Sequence, residues 1–166
     1  MSSSNEMIYG AGSYDYSEGA TRVQGNDLHF DFNGTLYANG KEMFGNRVLW
    51  SGDNVMAANT TIDLSGKVSE QNSGIVLVWS PYIDGSAKNY GYTMHFVPKY
   101  MISFGTSPSF DFAMFRAGNF SHACSKYLYI HDQNISGYST NTATGTGGCG
   151  ITYNNAYWHL RYVIGV

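Results

Sequence analysis

The chain has 166 residues, of which 16% are aromatic and only 13% are charged. Its formal net charge is −3 and its nine Lys and Arg residues are scattered, which argues against nucleic acid as a partner. No apolar run reaches transmembrane length and no signal peptide opens the chain, so we expect no membrane partner. Many Tyr and Gly residues and few prolines favour strands and turns over helices.

Residues 1–46 are predicted to form a β-rich neck or shoulder. Within them, residues 27–33 alternate between apolar and polar side chains, as a half-buried strand does. Asn33 with Gly34, and Asn39 with Gly40, predict two tight turns. Because an isolated hairpin is marginally stable in water, the apolar face needs a partner, either the rest of the chain or copies of itself.

Residues 47–166 are predicted to form a second domain built from short strands. The continuous apolar run 75–79 is typical of a strand buried on both faces. Pro98 places the end of its strand at a sheet edge or a bulge. Strands separated by Gly, Asn and Ser predict an all-β fold, an antiparallel sandwich or jelly-roll-like domain. The predicted strands are 48–50, 60–64, 75–79, 92–100, 110–115, 126–130 and 158–166.

The last strand, 158–166, alternates to the end of the given sequence and is predicted to have one face in the core. That face would carry five side chains: Trp158, Leu160, Tyr162, Ile164 and Val166.

Two long polar segments, 80–90 and 133–150, show no periodicity and are predicted to be loops. Loops of this length in compact domains are usually functional or mobile. The two cysteines, Cys124 and Cys149, are too few for a disulfide framework; free thiols are favoured, with a single bridge as the alternative.

The order and spacing of five segments resemble one family; the segments are 74–80, 95–100, 126–130, 150–155 and 160–166. It is the carboxyl-terminal head of tail-tip and baseplate proteins from siphophages of Gram-positive bacteria, and in particular the receptor-binding proteins of Listeria phages. The resemblance covers about residues 47–166.

The resemblance implies a homotrimer with an intertwined β neck before a distal head. It also implies binding of a bacterial cell-wall carbohydrate such as decorated teichoic acid, contact with other phage baseplate proteins, and a place at the distal tail tip of the virion. The matching segments are framework strands, so no binding residue is carried over from the family.

Candidate sugar-binding residues come from the loops. Tyr and Trp join an apolar ring to a polar tip, which suits stacking on the C–H face of a sugar, while Asn and Asp suit its hydroxyls. For each aromatic residue a core position is the competing interpretation, and for Trp158 both stay open. The predicted glycan-binding residues are Tyr82, Asp84, Tyr90, Asn134, Tyr138, Asn154 and Trp158.

Catalytic groups are sparse in the sequence. Hydrolysis of a glycan needs two carboxylates about 5–10 Å apart, for which Asp84, Asp111 and Asp132 are the candidates. There is no HExxH motif and no close ligand cluster, so we expect neither a metal nor another cofactor. We therefore predict a non-catalytic, multivalent receptor-binding protein; the alternatives are a depolymerase acting on the same polymer and a purely structural baseplate component.

Overall fold

In the computed structural model, the chain divides into two compact units, Met1–Thr35 and Leu36–Val166. The boundary between the two units therefore lies before the division between residues 46 and 47 that the sequence predicts. The structure describes residues 8–9, 12–17, 20–24, 37–38, 41–42, 47–106, 108–116, 119–147 and 150–166, with side chains from residue 47 onward except 116 and 119–122.

The first unit contains a three-stranded antiparallel sheet with the strands in chain order. Its strands are β1 (Ile8–Tyr9), β2 (Gly12–Ser17) and β3 (Ala20–Gln24). The strand predicted over 27–33 and the turn at Asn33 and Gly34 lie outside the described residues.

The second unit begins with a small antiparallel hairpin whose strands flank Asn39 and Gly40. Four short 3-10 helices and eleven further strands make up the rest of its described part. The hairpin is β4 (Tyr37–Ala38) and β5 (Lys41–Glu42). The other strands are β6 (Arg47–Asn54), β7 (Thr61–Asp63), β8 (Gly74–Ile83), β9 (Ser86–Ala87), β10 (Thr93–Pro98), β11 (Ser109–Arg116), β12 (Asn119–Ile130), β13 (Asn134–Ser136), β14 (Thr144–Thr146), β15 (Thr152–Asn154) and β16 (Trp158–Gly165); the 3-10 helices are Val68–Glu70, Lys99–Ser103, Ser139–Thr142 and Asn155–Tyr157.

The all-β prediction is confirmed. A five-stranded sheet has the order β10-β8-β16-β6 with β9 on β8, and a six-stranded sheet has the order β14-β15-β12-β13-β7 with β11 on β12. All pairs in these sheets are antiparallel except β12 with β15. Both sheets contribute side chains to one core, among them Leu77, Trp79, Leu160 and Val163 from the first and Phe112, Met114, Leu128 and Ile130 from the second.

Strand β8 lies in the middle of the five-stranded sheet, as its apolar run predicts. Ile75, Leu77 and Trp79 are fully buried in the core. On its other face Val78 is buried and Val76 is half-buried. Strand β10 is an edge strand and ends at Pro98, the position that proline tolerates because it lacks a backbone N–H donor.

The prediction for the last strand is wrong in its second half. Leu160 pairs with Trp79 while Tyr162 pairs with Val78, so Arg161 is an extra residue, a β-bulge. A bulge shifts the alternation by one position. Consequently Trp158 and Leu160 face the core as predicted, but Val163 takes the place expected for Tyr162, which is only half-buried together with Ile164 and Val166.

The predicted loop over 80–90 is mostly a hairpin. Strand β8 continues to Ile83 and pairs with β9, with Tyr82 opposite Ala87. The two connecting residues, Asp84 and Gly85, have φ of 53° and 74°, the left-handed pair that a tight hairpin turn requires. The polar stretch after Trp50 is also strand, since β6 runs to Asn54.

The described residues of the predicted loop over 133–150 are likewise structured. Beside β12, the side chains of Asn141 and Asn155 take the place of a neighbouring strand. The fully buried Asn141 binds Tyr127 on both sides: Tyr127 N donates to its Oδ1 (2.7 Å) and its Nδ2 donates to Tyr127 O (2.8 Å). Asn155 accepts from Ser125 N (2.8 Å) and donates to Thr140 O (2.8 Å). These side chains satisfy backbone groups that a neighbouring strand would otherwise pair.

Lys126 is fully buried in the same region. Its Nζ donates to the carbonyl oxygens of Val55 and Asn141, both at 2.9 Å, and lies 6.0 Å from the ring of Trp79. Burial lowers the pKa of Lys126 to about 8 and raises the pKa of the neighbouring Cys124, a buried free thiol, to about 11. Cys149 lies outside the described residues, so of the two predicted free thiols only Cys124 is observed.

Candidate functional site

A groove of about 390 Å³ lies where β8, β10 and β16 of one sheet meet β11 of the other. This volume falls in the range of small-molecule sites, roughly 300–1,000 Å³. Four of its residues carry aromatic rings, and none of the described residues that line it is Asp, Glu, Lys or Arg. The lining consists of Pro81, Tyr90, Gly91, Tyr92, Thr93, Phe115 and Trp158.

The groove is built by strand pairing and one tight loop. Pro81 and Trp158 are directly opposite each other on β8 and β16. The loop before β10 turns at Gly91, whose φ of 65° favours glycine. It leaves the rings of Tyr90 and Tyr92 at the surface, with 52% and 43% of their areas exposed.

His95 fixes β10 to the opposite sheet next to the groove. Its Nε2 lies 3.2 Å from the carbonyl oxygen of Ala113 on β11, so Nε2 carries the proton and donates. Its ring packs on Phe112 at 5.1 Å between centroids. Burial lowers the pKa of His95, although the bond to Ala113 opposes that shift.

Trp158 closes the groove from the core side. Its side chain is only 2% exposed, and its indole Nε1 is buried with no hydrogen-bond partner in the described part of the chain. Leaving such a donor unpaired costs roughly 1–3 kcal/mol. The indole of Trp79 is also unpaired, but Trp79 lies deep in the core and does not line the groove. The sequence left both a core position and a binding position open for Trp158. In the structure it is a core residue that also lines a surface groove.

Two of the seven predicted binding residues, Tyr90 and Trp158, are brought together in this groove. The structure also adds Tyr92, Phe115 and Pro81. For Tyr92 the signal was its closeness to Tyr90 in sequence. Phe115 gave no usable signal, since only the pairing of β11 shows that it is exposed at the groove.

The other five predicted residues lie elsewhere. Asp84 is exposed at the tip of the β8–β9 hairpin. Asn134 is paired with Asp63 in the six-stranded sheet. Tyr138 packs against Tyr127 at 4.9 Å between ring centroids.

Asn154 and Tyr82 have structural contacts of their own. The side chain of Asn154 accepts a hydrogen bond from Ala156 N and so caps a short helix. Tyr82 stacks on His159 on the outer face of the five-stranded sheet, with ring centroids 4.0 Å apart.

His159 also pairs with Asp53, with Nδ1 2.5 Å from the carboxylate. Burial lowers the pKa of His159, while the bond to Asp53 opposes that shift. Ser80 is the cross-strand neighbour of His159, so the three residue types of a hydrolase triad meet here. Ser80 is nevertheless fully buried, and its hydroxyl accepts from Arg161 at 3.2 Å, so this serine is closed to a substrate.

The three aspartates considered for hydrolysis lie on separate elements. Asp84 is at a hairpin tip, Asp111 is exposed on β11, and Asp132 accepts from the N–H and the hydroxyl of Ser69. In the described ranges, no three His, Cys, Asp or Glu residues form a group suited to a metal ion. No helix among the described residues is long and apolar enough to cross a membrane.

No protein-family model and no curated protein matches this chain. Its function therefore has to be inferred from the chemistry of its surface.

Proposed function

We propose that this chain is the receptor-binding part of a phage tail, which recognises a cell-wall glycan of teichoic-acid type without cutting it. The observation that carries the proposal is the groove lined by the aromatic rings of Tyr90, Tyr92, Phe115 and Trp158. Aromatic rings offer flat apolar faces for sugar C–H groups, and an indole N–H or tyrosine hydroxyl offers a polar contact for a sugar hydroxyl.

The electrostatics of the groove agree with a neutral sugar. None of the described residues that line it has an acidic or basic side chain, so a polyol meets no charged group among them.

Affinity would come from several copies on one repetitive polymer, because linked weak sites gain a high effective concentration. The proposed assembly is a homotrimer of β-sandwich heads on an intertwined β neck, at the distal tail tip beside other baseplate proteins. Such an assembly needs a surface through which copies pack.

The outer face of the five-stranded sheet provides a suitable surface. One row of apolar side chains crosses the strands β10, β8, β16 and β6; it consists of Phe96, Val76, Ile164 and Val48. Phe96 and Val48 are 51% and 52% exposed, and Met94 beside them is 67% exposed. An exposed apolar patch of this kind marks an interaction surface on a soluble protein.

Binding of the labelled chain to isolated walls from a panel of Gram-positive bacteria tests the proposal. Tyr90→Ala and Tyr92→Ala should each weaken binding about tenfold or more, because burial of an aromatic side chain contributes roughly 1.5–3 kcal/mol. Tyr100→Ala is the matched control, since Tyr100 is 62% exposed but does not line the groove.

Two results would contradict the proposal. Failure to bind any wall would leave a structural baseplate role. Release of soluble wall fragments by the purified chain would overturn its non-catalytic part and favour the depolymerase.

A further inference from the structure

Arg161, the bulged residue of β16, is held in place by four hydrogen bonds. Its Nε donates to Gly52 O (2.9 Å), its Nη1 donates to Ser80 Oγ and to Lys88 O (both 3.2 Å), and its Nη2 approaches Asn89 Oδ1 (3.4 Å). A guanidinium group has five N–H donors, so one Nη2 donor is left over.

All four acceptors of Arg161 are neutral. The one ion pair between described residues joins Asp53 to His159, so no described carboxylate forms an ion pair with the guanidinium. A fixed, partly buried positive charge without a counter-charge attracts an anion, and its ordering cost has already been met in the folded protein.

Further hydrogen-bond donors lie on the two loop residues that contact Arg161. The amide oxygen of Asn89 faces Arg161, so the amide nitrogen of the same planar group presents two N–H donors beside it. Lys88, the preceding residue, adds an ammonium group whose Nζ donates to Ser86 Oγ at 2.9 Å. Arginine, amide and ammonium donors together suit phosphate or carboxylate oxygens.

One short loop joins this cluster to the groove. Lys88 and Asn89 contact Arg161, and the next three residues, Tyr90, Gly91 and Tyr92, line the groove. A ligand that carries an acidic group next to a sugar can therefore contact both sides of residues 88–92.

We propose that Arg161, Asn89 and Lys88 form an oxyanion site that takes the phosphate or carboxylate group of the polymer whose sugar occupies the groove. The inference deepens the proposed function and rests on it. It narrows the ligand to an acidic glycan and assigns the charge recognition to the outer side of the loop.

The test uses the full chain and small probes: glycerol 3-phosphate for phosphate, glucuronate for carboxylate, and glycerol and glucose as neutral counterparts. Binding is followed by titration calorimetry and by the imidazole NMR signals of His159. At least one anion should bind and move these signals more than its neutral counterpart does, and rising salt should weaken the binding.

Substitutions at Lys88, which is half-buried, and at Asp53, which is exposed, test the site while the hydrogen bonds of Arg161 are kept. Lys88→Gln keeps the backbone carbonyl that Arg161 uses, and should weaken anion binding about two- to fivefold. Asp53→Asn keeps an oxygen for His159 but removes a negative charge, and should strengthen anion binding by a similar factor. Lys67→Gln is the control, because Lys67 is an exposed lysine on another element.

The outcomes separate this inference from the proposed function. If neither anion binds, or if Lys88→Gln and Lys67→Gln have the same effect, the oxyanion site is wrong. When wall binding is still lost in Tyr90→Ala, the groove proposal survives that failure; when wall binding is also absent in the unaltered chain, both fail.

Discussion

Asn141 offers a sharp test of how the six-stranded sheet is held together. In Asn141→Ala, the N–H and the carbonyl of Tyr127 both lose the side-chain partner that they have in the folded protein. The carbonyl of Met56 loses one of its two donors but keeps Tyr138 N at 3.2 Å. Because Asn141 is fully buried, water does not replace these bonds without local opening.

The expected loss follows from the number of unpaired groups. Each buried, unsatisfied backbone group costs about 1–3 kcal/mol, so the two groups of Tyr127 together predict a loss of about 2–6 kcal/mol. The free energy of unfolding of a small domain is about 5–15 kcal/mol, so this loss is a large fraction of the total stability.

Urea unfolding followed by tryptophan fluorescence measures the effect, at one protein concentration so that any assembly is held constant. Asn134→Ala is the matched control, since Asn134 is half-buried in the same sheet, and its change should stay within about 0.5 kcal/mol. A loss below about 1 kcal/mol for Asn141→Ala would refute the view that its amide stands in for a strand.

Three further predictions address the turn, the buried charge and the outer face. In Gly137→Ala the new Cβ would overlap the backbone carbonyl of Met56, so stability should fall by about 3 kcal/mol or more in the same urea assay. Lys126 has a pKa of about 8 against an ordinary 10.5, so the folded state loses this proton first. In Cys124→Ala, which removes the opposing thiol titration, the free energy of unfolding should rise from pH 8 towards pH 10.5. Phe96→Lys should reduce the assembly size seen by light scattering, because a charge would enter the apolar face.

Each of these predictions has a contrasting variant. Gly85→Ala should cost only about 1 kcal/mol, since its Cβ would meet nothing within 4 Å and only its φ of 74° is unfavourable. A flat pH profile above 8 would contradict the account of Lys126, as would an unchanged rise in Lys126→Met. Phe104→Lys, at an equally exposed phenylalanine outside the row, should leave the assembly intact.

Alternation along single strands was readable from the sequence because each pattern depends on local spacing alone. Phe112 and Met114 point inward on β11, and Leu128 and Ile130 do so on β12, at the two-residue spacing of strands with one face in a core. The same reasoning failed after Leu160, since the bulge at Arg161 exists only in the pairing with β8.

The candidate site was likewise only partly predictable from the sequence. Tyr90 and Trp158 could be proposed from residue type and loop position, but the other predicted residues have similar chemistry and lie on different faces. Which aromatic rings share a groove depends on which strands are neighbours, and Phe115 joins Tyr90 only because β11 meets β10 there.

The sequence by itself determined the all-β class, the edge position of Pro98 and the inward faces of the regular strands, because period-two alternation and the missing proline donor act locally. Only the tertiary structure decided that polar residues such as Asn141 and Lys126 are buried. Their burial is tolerated because backbone carbonyls and amides distant in sequence supply the hydrogen bonds, and no local pattern shows where those partners lie.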